Sequence, residues 1–250
     1  MRKYGLIGYP LGHSFSKGFF TEKFIRENIG GCTYDNFPIS DIAMLPALLE
    51  NEPDLQGLNV TIPYKSLVFP YIDVLDPGAA EVGAVNVLKI DRSQGKIKIA
   101  GFNSDITGIM DSLKPYLSGN VKSAIVLGTG GSSRAVCYVL RKYGIDIVQV
   151  SRKRRSGMIE YSDIDDVILK NAGLIVNTTP LGMFPDTETR PDIKYNLLEG
   201  KQVLFDLVYN PELTYFLRSG MERGCTVITG LKMLHSQAEK SWEIWNDEKL

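Results

Sequence analysis

A chain of 250 residues is long enough for one large domain or two modest ones at ~100 to 200 residues per domain, so peptide hormones, disulfide miniproteins and short regulatory modules are excluded. Lysine and arginine number 28 against 29 aspartate and glutamate, a net charge of −1, which offers no broad footprint for nucleic acid or an anionic membrane; any basic site must be local. The three cysteines, Cys32, Cys137 and Cys225, are odd in number and far apart, as in a reducing compartment, so the expected location is cytoplasmic.

The N-terminal apolar run is broken by Gly5, Gly8 and Pro10, and no uncharged apolar run approaches the ~18 residues of a spanning helix, so neither a signal nor a membrane segment is expected. Short apolar runs read as strands at 3–8, 33–37, 57–61, 84–89 and 96–101, with helical patterns at 17–28 and 42–49 between the earlier ones. These make a first α/β layer of roughly a hundred residues. Asn103, Ser104 and Asp105 then start a helix whose apolar face is Ile106, Ile109, Met110, Leu113 and Leu117. A strand at 123–127, a glycine turn, a helix at 134–143 and a strand at 146–150 form a βαβ unit. Further strands at 173–177, 202–207 and 225–228, with a helix at 212–222, extend a parallel sheet covered on both faces. Leu231, Leu234, Ala238, Trp242 and Trp245 make one stripe of a final helix, which, coming after a complete sheet, is expected to return to the first domain. The fold class is therefore α/β, in two domains: 1–103 with 231–250, and a Rossmann-like domain at 104–230.

The segment VLGTGGSS, ending at Ser133, follows a strand and opens a helix. Glycines there let the backbone turn tightly and approach a pyrophosphate, whose charge meets the N–H groups and dipole of the helix start. Gly128, Thr129, Gly130, Gly131 and Ser132 are the residues so assigned; Ser133 stands in place of the third glycine, and a tight turn with no ligand is the plain alternative. An NAD-preferring fold ends its second strand on an acid that binds both ribose hydroxyls. Here that place reads Ser151, Arg152, Lys153, Arg154, Arg155, cations that suit a 2′-phosphate, so NADP is favoured over NAD, with a solvated basic loop as the alternative.

The two histidines, His13 and His235, fall in no metal spacing, and CxxC and HExxH are absent; no metal is expected. Three polar patches stand out in the first domain: Gly12-His13-Ser14-Phe15-Ser16, Asn59 through Lys65 (NVTIPYK), and Gly83-Ala84-Val85-Asn86. Each alone has an ordinary structural explanation: a serine can cap the following helix, Asn86 can satisfy buried backbone, Lys65 can be solvated, and Asp105 can serve a helix start. Taken with Asn103-Ser104-Asp105, the glycine turn, Asn177 through Met183 (NTTPLGM), Asp206-Leu207-Val208-Tyr209 and the stretch from Gly230 to Ala238, they resemble the shikimate dehydrogenase family, nearly end to end and in that family's order.

The resemblance implies an NADP-dependent enzyme that interconverts 3-dehydroshikimate and shikimate, in the route to chorismate and the aromatic amino acids. It implies Lys65 and Asp105 as the catalytic pair. Ser14 and Ser16 would hold the substrate carboxylate, and Thr61, Asn86, Tyr209 and Gln237 would bind carboxylate and ring hydroxyls alongside Lys65 and Asp105. Thr178, Leu207 and Gly230 would complete the cofactor site with Ser151, Arg152 and Lys153. Small-molecule ligands, no nucleic acid, no membrane, and a monomer or homodimer are expected. Two departures stand out: Ser104 and the sequence Ser151-Arg152-Lys153 replace the family's usual Asn-Thr-Asp threonine and Asn-Arg-Thr. A third is the shortened stretch before Asn177, from which one helix of the cofactor domain is expected to be reduced or absent. Two rival readings remain, a quinate/shikimate dehydrogenase of the same family and a non-catalytic NADP-binding module. Ser16 favours shikimate over quinate, because the family's quinate users tend to carry threonine or glycine near that place. A binding module would have no use for Lys65, Asp105 and both serines.

Overall fold

Side chains alternate across a strand, so the N-terminal run RKYGLIG presents different residues to the two faces of whatever sheet it joins. In the computed structural model, which describes residues 1–11, 15–93, 95–117 and 121–247, the chain divides into two units. One is Met1–Ser104 with Gln237–Leu250, the other Asp105–Ser236. Gly12, His13 and Ser14 lie outside the described residues.

The first unit follows the chain as β1 (Arg2–Gly8), α1 (Phe15–Arg26), β2 (Cys32–Pro38), α2 (Leu45–Asn51), β3 (Leu55–Val60), β4 (Val74–Leu75), α3 (Pro77–Val82), β5 (Val87–Asp91) and β6 (Lys98–Phe102). Its sheet has the order β2-β1-β3-β5-β6-β4. β1 is parallel to both neighbours, whereas β5 is antiparallel to β3 and to β6. Ile7 of β1 joins a core with Leu45 and Leu49 of α2, Leu58 of β3 and Ala79 of α3. Tyr4 and Leu6 face the other way, into a core with Phe20 and Phe24 of α1 and Ala238, Ile244 and Trp245 of the C-terminal helix. The C-terminal part of that last helix, from Ala238 to Trp245, thus covers the first sheet, which is why the chain returns.

An aromatic cluster fixes the return. Tyr4 stacks on Trp245 with ring centroids 4.8 Å apart, Phe20 stacks on Tyr34 at 4.6 Å, and the Trp245 indole N–H donates to the Leu88 carbonyl at 3.0 Å. Only glycine fits opposite: a Cβ on Gly57 would lie 2.3 Å from Trp245 Nε1.

The second unit contains α4 (Asp105–Leu113), β7 (Ser123–Leu127), α5 (Gly131–Lys142), β8 (Asp146–Ser151), β9 (Ile159–Glu160), α6 (Asp166–Asn171), β10 (Leu174–Asn177), β11 (Val203–Asp206), α7 (Tyr215–Met221), β12 (Thr226–Ile228) and the start of α8 (Gly230–Asn246). Its sheet is parallel throughout, in the order β12-β11-β10-β7-β8-β9. Near-continuous apolar strands such as SAIVL and LIVN suit burial on both faces. From β7 the chain runs outward to β9 and then resumes on the other side at β10, so the strand order reverses between β7 and β10. Ligands of open α/β sheets bind outside the carboxyl ends of strands at such a point.

Several elements differ from the pattern reading. The expected strand at 84–89 is shifted to Val87–Asp91, because Gly83, at φ 67°, ends α3 in the left-handed region and the chain takes up the strand only after Asn86. Helix α3 is too short for periodicity to show; its signals are the Asp76 side chain accepting from Ala79 N, Pro77 in the first turn, and Gly83 at the end. Between Arg155 and Asn177 a helix is present but has only six residues. The helix expected at 212–222 starts at Tyr215, where Thr214 caps it by accepting from Leu217 N.

Replacing Trp245 with alanine should lower stability by ~3 to 5 kcal/mol in denaturant titrations, the range for emptying a buried aromatic site. Gly57→Ala should destabilise through the clash with Trp245, and the double variant should be more stable than the two separate losses added together would make it.

Candidate active site

Backbone hydrogen bonds gather two of the sequence patches, 59–65 and 83–86, within the first unit. Val85 N donates to the Lys65 carbonyl at 2.7 Å, Val60 N to the Asn86 carbonyl at 2.9 Å, Thr61 N to the Ile7 carbonyl at 2.9 Å, and Asn86 N to the Phe102 carbonyl at 3.0 Å. Asn86, distant in sequence from Thr61 and Lys65, is thereby placed with them around the end of β3. Tyr64 anchors the intervening turn through its hydroxyl, which donates to the Ile39 carbonyl at 2.7 Å. Thr61 and Lys65 are half-buried and Asn86 is buried.

Behind these residues runs a buried polar chain. The Tyr34 hydroxyl donates to Asn59 Oδ1 at 2.9 Å and shares a hydrogen bond with Ser16. Asn59 Nδ2 donates to Ser241 Oγ at 2.8 Å, Ser241 Oγ lies 3.3 Å from Ser104 Oγ, and Ser104 N donates to Asn86 Oδ1 at 2.7 Å. Burial pushes the Tyr34 hydroxyl well above its usual range, so it stays neutral and able to donate. Ser16 lies inside α1 rather than before it, and Ser14 falls outside the described residues. Gln237 is half-buried on α8 between the buried Met233, Leu234 and Ala238, and its carbonyl accepts from Ser241 Oγ at 2.9 Å. Asn59 and Ser104 lie inside the NVTIPYK and Asn103-Ser104-Asp105 motifs, whereas Tyr34 and Ser241 carry no local signal.

Asp105, 1% exposed, is the first residue of α4, in the second unit, and accepts from Ser132 Oγ at 3.4 Å. The glycine turn holds its shape through Gly128, whose φ of 120° admits glycine and whose Cβ, if present, would lie 2.4 Å from Thr178 Oγ1. Its carbonyl accepts from Ser133 Oγ at 2.7 Å and Gln149 Nε2 at 3.1 Å, so the serine in place of the third glycine secures the turn. Gly130 is the N-cap of α5 with no side-chain cap bond, and a Cβ built on it meets nothing within 4 Å. The space beside Gly130 at the helix N-terminus is therefore open, as backbone approach by a pyrophosphate requires.

The other expected cofactor residues surround the carboxyl ends of the strands. Thr178 Oγ1 donates to the Leu127 carbonyl at 2.7 Å, and Leu207 N donates to the Asn177 carbonyl at 3.0 Å. A Cβ on Gly230 would come within 2.6 Å of the Leu207 carbonyl. Ser151 is buried at the end of β8 and its Oγ accepts from Lys153 N at 3.3 Å, leaving Arg152 and Lys153 exposed. Arg154 pairs with Asp163 at 3.3 Å instead. Tyr209 is half-buried two residues beyond Leu207, and burial pushes its hydroxyl above the usual phenol range.

A switch-point sheet with an open glycine turn and a basic loop defines a nucleotide-binding α/β protein, and comparison with known proteins is more specific. The family described as shikimate dehydrogenase substrate binding domain matches residues 6–88. The NADP(+) shikimate dehydrogenase of Methanococcus maripaludis strain C6 is 35% identical over 263 residues, spanning 98% of this chain and 91% of its own. The structure of shikimate 5-dehydrogenase from Thermus thermophilus, in complex with NADP(H) and shikimate, superposes with a TM-score of 0.85 at 28% identity, covering 98% of this chain and 94% of that one. Quinate dehydrogenase from Corynebacterium glutamicum, in complex with NAD, gives 0.84 at 25% identity, covering 98% and 93%. The chain belongs to the shikimate dehydrogenase family.

The two turn glycines should separate on substitution. Gly128→Ala should lower the melting temperature of the ligand-free protein, because it meets both strain and Thr178. Gly130→Ala should leave that temperature nearly unchanged while weakening NADP+ binding measured by calorimetry.

Proposed function

We propose that the chain is an NADP-dependent shikimate dehydrogenase, reversibly reducing 3-dehydroshikimate to shikimate. The observation that carries the reading is the gathering of Thr61, Lys65 and Asn86 by four backbone hydrogen bonds, in a chain whose family acts on this substrate. NADPH, when bound, supplies a hydride to the carbonyl carbon. The residues that would hold it are Gly128, Thr129, Gly130, Gly131 and Ser132 at the pyrophosphate, and Ser151, Arg152 and Lys153 at the 2′-phosphate. Thr178, Leu207 and Gly230 would line the remainder.

The chain's own work is binding and proton transfer. Ser14 and Ser16 hold the substrate carboxylate with hydroxyl donors, and Thr61, Asn86, Tyr209 and Gln237 bind the carboxylate and ring hydroxyls. As the carbonyl π bond breaks, its oxygen gains negative charge and takes a proton from the Lys65 ammonium; in oxidation the neutral amine takes it back. Asp105 is the second member of the catalytic pair that the family resemblance implies. The uncapped start of α5 and the exposed Arg152 and Lys153 support a phosphate-rich cofactor, and exposed charges with no acid at the end of β8 support NADP. The same reading makes the protein a cytoplasmic monomer or homodimer with small-molecule ligands only.

Quinate is the second reading, since the quinate dehydrogenase fold matches as well as the shikimate dehydrogenase fold does. Quinate carries a further hydroxyl beside the carboxylate, in the region assigned to Ser14 and Ser16, and the retained Ser16 favours shikimate. Turnover of shikimate and of quinate, each with NADP+ and NAD+ and followed by nicotinamide absorbance, decides between them; the expected preference is shikimate with NADP+.

Lys65→Met keeps much of the aliphatic stem and removes the ammonium. Turnover should fall by about 10² to 10⁴, with a smaller change in substrate affinity. Near-normal turnover would remove Lys65 from the chemistry. Arg152→Glu should raise the Michaelis constant for NADP+ while sparing that for NAD+, with a loss of ~1.5 to 3 kcal/mol for a charge-assisted contact; an unchanged cofactor ratio would dismiss the basic loop as the 2′-phosphate site.

A further inference from the structure

Asn177 and Asp206 are the last residues of two adjacent parallel strands, β10 and β11, and are paired in register. Each closes the same local turn: Asn177 Oδ1 accepts from Thr179 N at 3.0 Å, and Asp206 Oδ1 accepts from Val208 N at 3.0 Å. The two turns are bonded to one another, with Asn177 Nδ2 donating to Asp206 Oδ1 at 3.0 Å. On the far side of the carboxyl, Thr214 Oγ1 donates to Asp206 Oδ2 at 2.6 Å. Asn177 Nδ2 also donates to the Leu181 carbonyl at 3.2 Å, and Thr179 Oγ1 donates to Asn177 Oδ1 at 2.6 Å, which fixes the orientation of that amide. Neither Asn177 nor Asp206 has any exposed surface.

We infer that Asp206 is a positioning residue that clamps the segments after β10 and β11 together, and so sets where Thr178, Leu207 and Tyr209 stand. Thr178 follows the Asn177 turn directly, and Leu207 and Val208 are the turn that Asp206 itself closes, with Tyr209 next in the chain. A hydroxyl, a side-chain amide and a backbone N–H all converge on one carboxyl, so loss of that carboxyl releases three donors at once. The assignment of ligands to Thr178, Leu207 and Tyr209 rests on the proposed function; the clamp itself does not.

The forces on the carboxyl give a second signature. Burial is the largest and pushes Asp206 up to about 7, against the downward pull of Thr214, Val208 and Asn177. Tyr195 feels it, its hydroxyl raised chiefly by burial, lowered by Arg190 and raised in smaller part by Asp206. Because the folded carboxyl holds its proton above the unfolded value of 3.8, its contribution to stability is full below that value. It is lost as the pH rises through about 7. Asp206→Asn lacks that loss, so its melting temperature relative to wild type should climb between those pH values and level off above them.

Three variants test the clamp. Asp206→Ala should raise the dissociation constant for NADP+ and the Michaelis constant for shikimate by about tenfold, the effect of ~1.4 kcal/mol of misplacement, with a smaller change in kcat. Asp206→Asn, which keeps an acceptor for Val208 and Asn177, should restore both. Thr214→Val, which removes only the donor on the far side, should lower the melting temperature and leave both constants near wild type. Amide hydrogen exchange in the ligand-free protein supplies the independent readout: Asp206→Ala should speed exchange at both 178–182 and 207–210. Should Asp206→Ala not fold, Asn177→Ala cuts the link between the turns and must show the same losses. Unchanged exchange in a folded variant overturns the clamp. Faster exchange with wild-type ligand constants overturns its positioning role, and failure of wild type to bind NADP+ counts against the proposed function while exchange still decides the clamp.

Discussion

Asn86 is the constraint on which the first unit's chemistry depends. Its carbonyl receives Val60 N, its own N–H goes to Phe102, and its side-chain Oδ1 receives Ser104 N. One buried residue therefore ties the end of β3, the end of β6 and the residue just before α4, and with Val85 N on the Lys65 carbonyl it brings the lysine segment along. An unpaired amide at that depth would cost about 1 to 3 kcal/mol, so the arrangement is stable only when every partner is in place. These residues are consequently brought together by backbone pairing.

In the second unit the corresponding constraint is the carboxyl edge of the parallel sheet. Parallel strands send all their carboxyl ends to one side, and the order reversal between β7 and β10 leaves the segments after them diverging. Gly128, Thr178 and Leu207 follow three neighbouring strands and are held by bonds to the Val150, Leu127 and Asn177 carbonyls respectively. The positive φ at Gly128 and the Thr178 hydroxyl, which occupies the place a Cβ would take, belong to one packing solution: the residue that turns the chain must also lack a side chain. Ser133 fills the role of the missing third glycine by bonding back to the Gly128 carbonyl.

The network through Tyr34, Asn59, Ser241 and Ser104 gives the returning C-terminal helix a second task. Its tryptophans cover the sheet, and its serine completes a polar chain that reaches Ser16 at one end and Asn86 at the other. Apolar burial supplies most of the docking energy, whereas the hydroxyl sets the register, since sliding the helix by one residue would strand Asn59 and Ser104 without the bridging oxygen.

Local physics was legible in the sequence. Alternation in RKYGLIG, continuous apolar runs such as SAIVL, the stripe of Leu234, Ala238 and Trp245, and the glycine turn after a strand each depend on neighbours within a few residues, so they fixed the fold class and most elements. Resemblance in ordered motifs added the assignment of Lys65, Asp105 and the binding residues that is proposed above. Helix α3 escaped because six residues carry too little periodicity, although its capping chemistry was present. Tertiary structure alone decided the mixed direction of the first sheet, the joining of Val85 to Lys65, the place of Ser241 in a polar chain, and the pairing of Arg154 with Asp163 that takes one cation out of the basic loop. It alone also set Asn177 beside Asp206, because register between strands that lie 29 residues apart in the chain is chosen by the packing of whole faces, a quantity no local window contains.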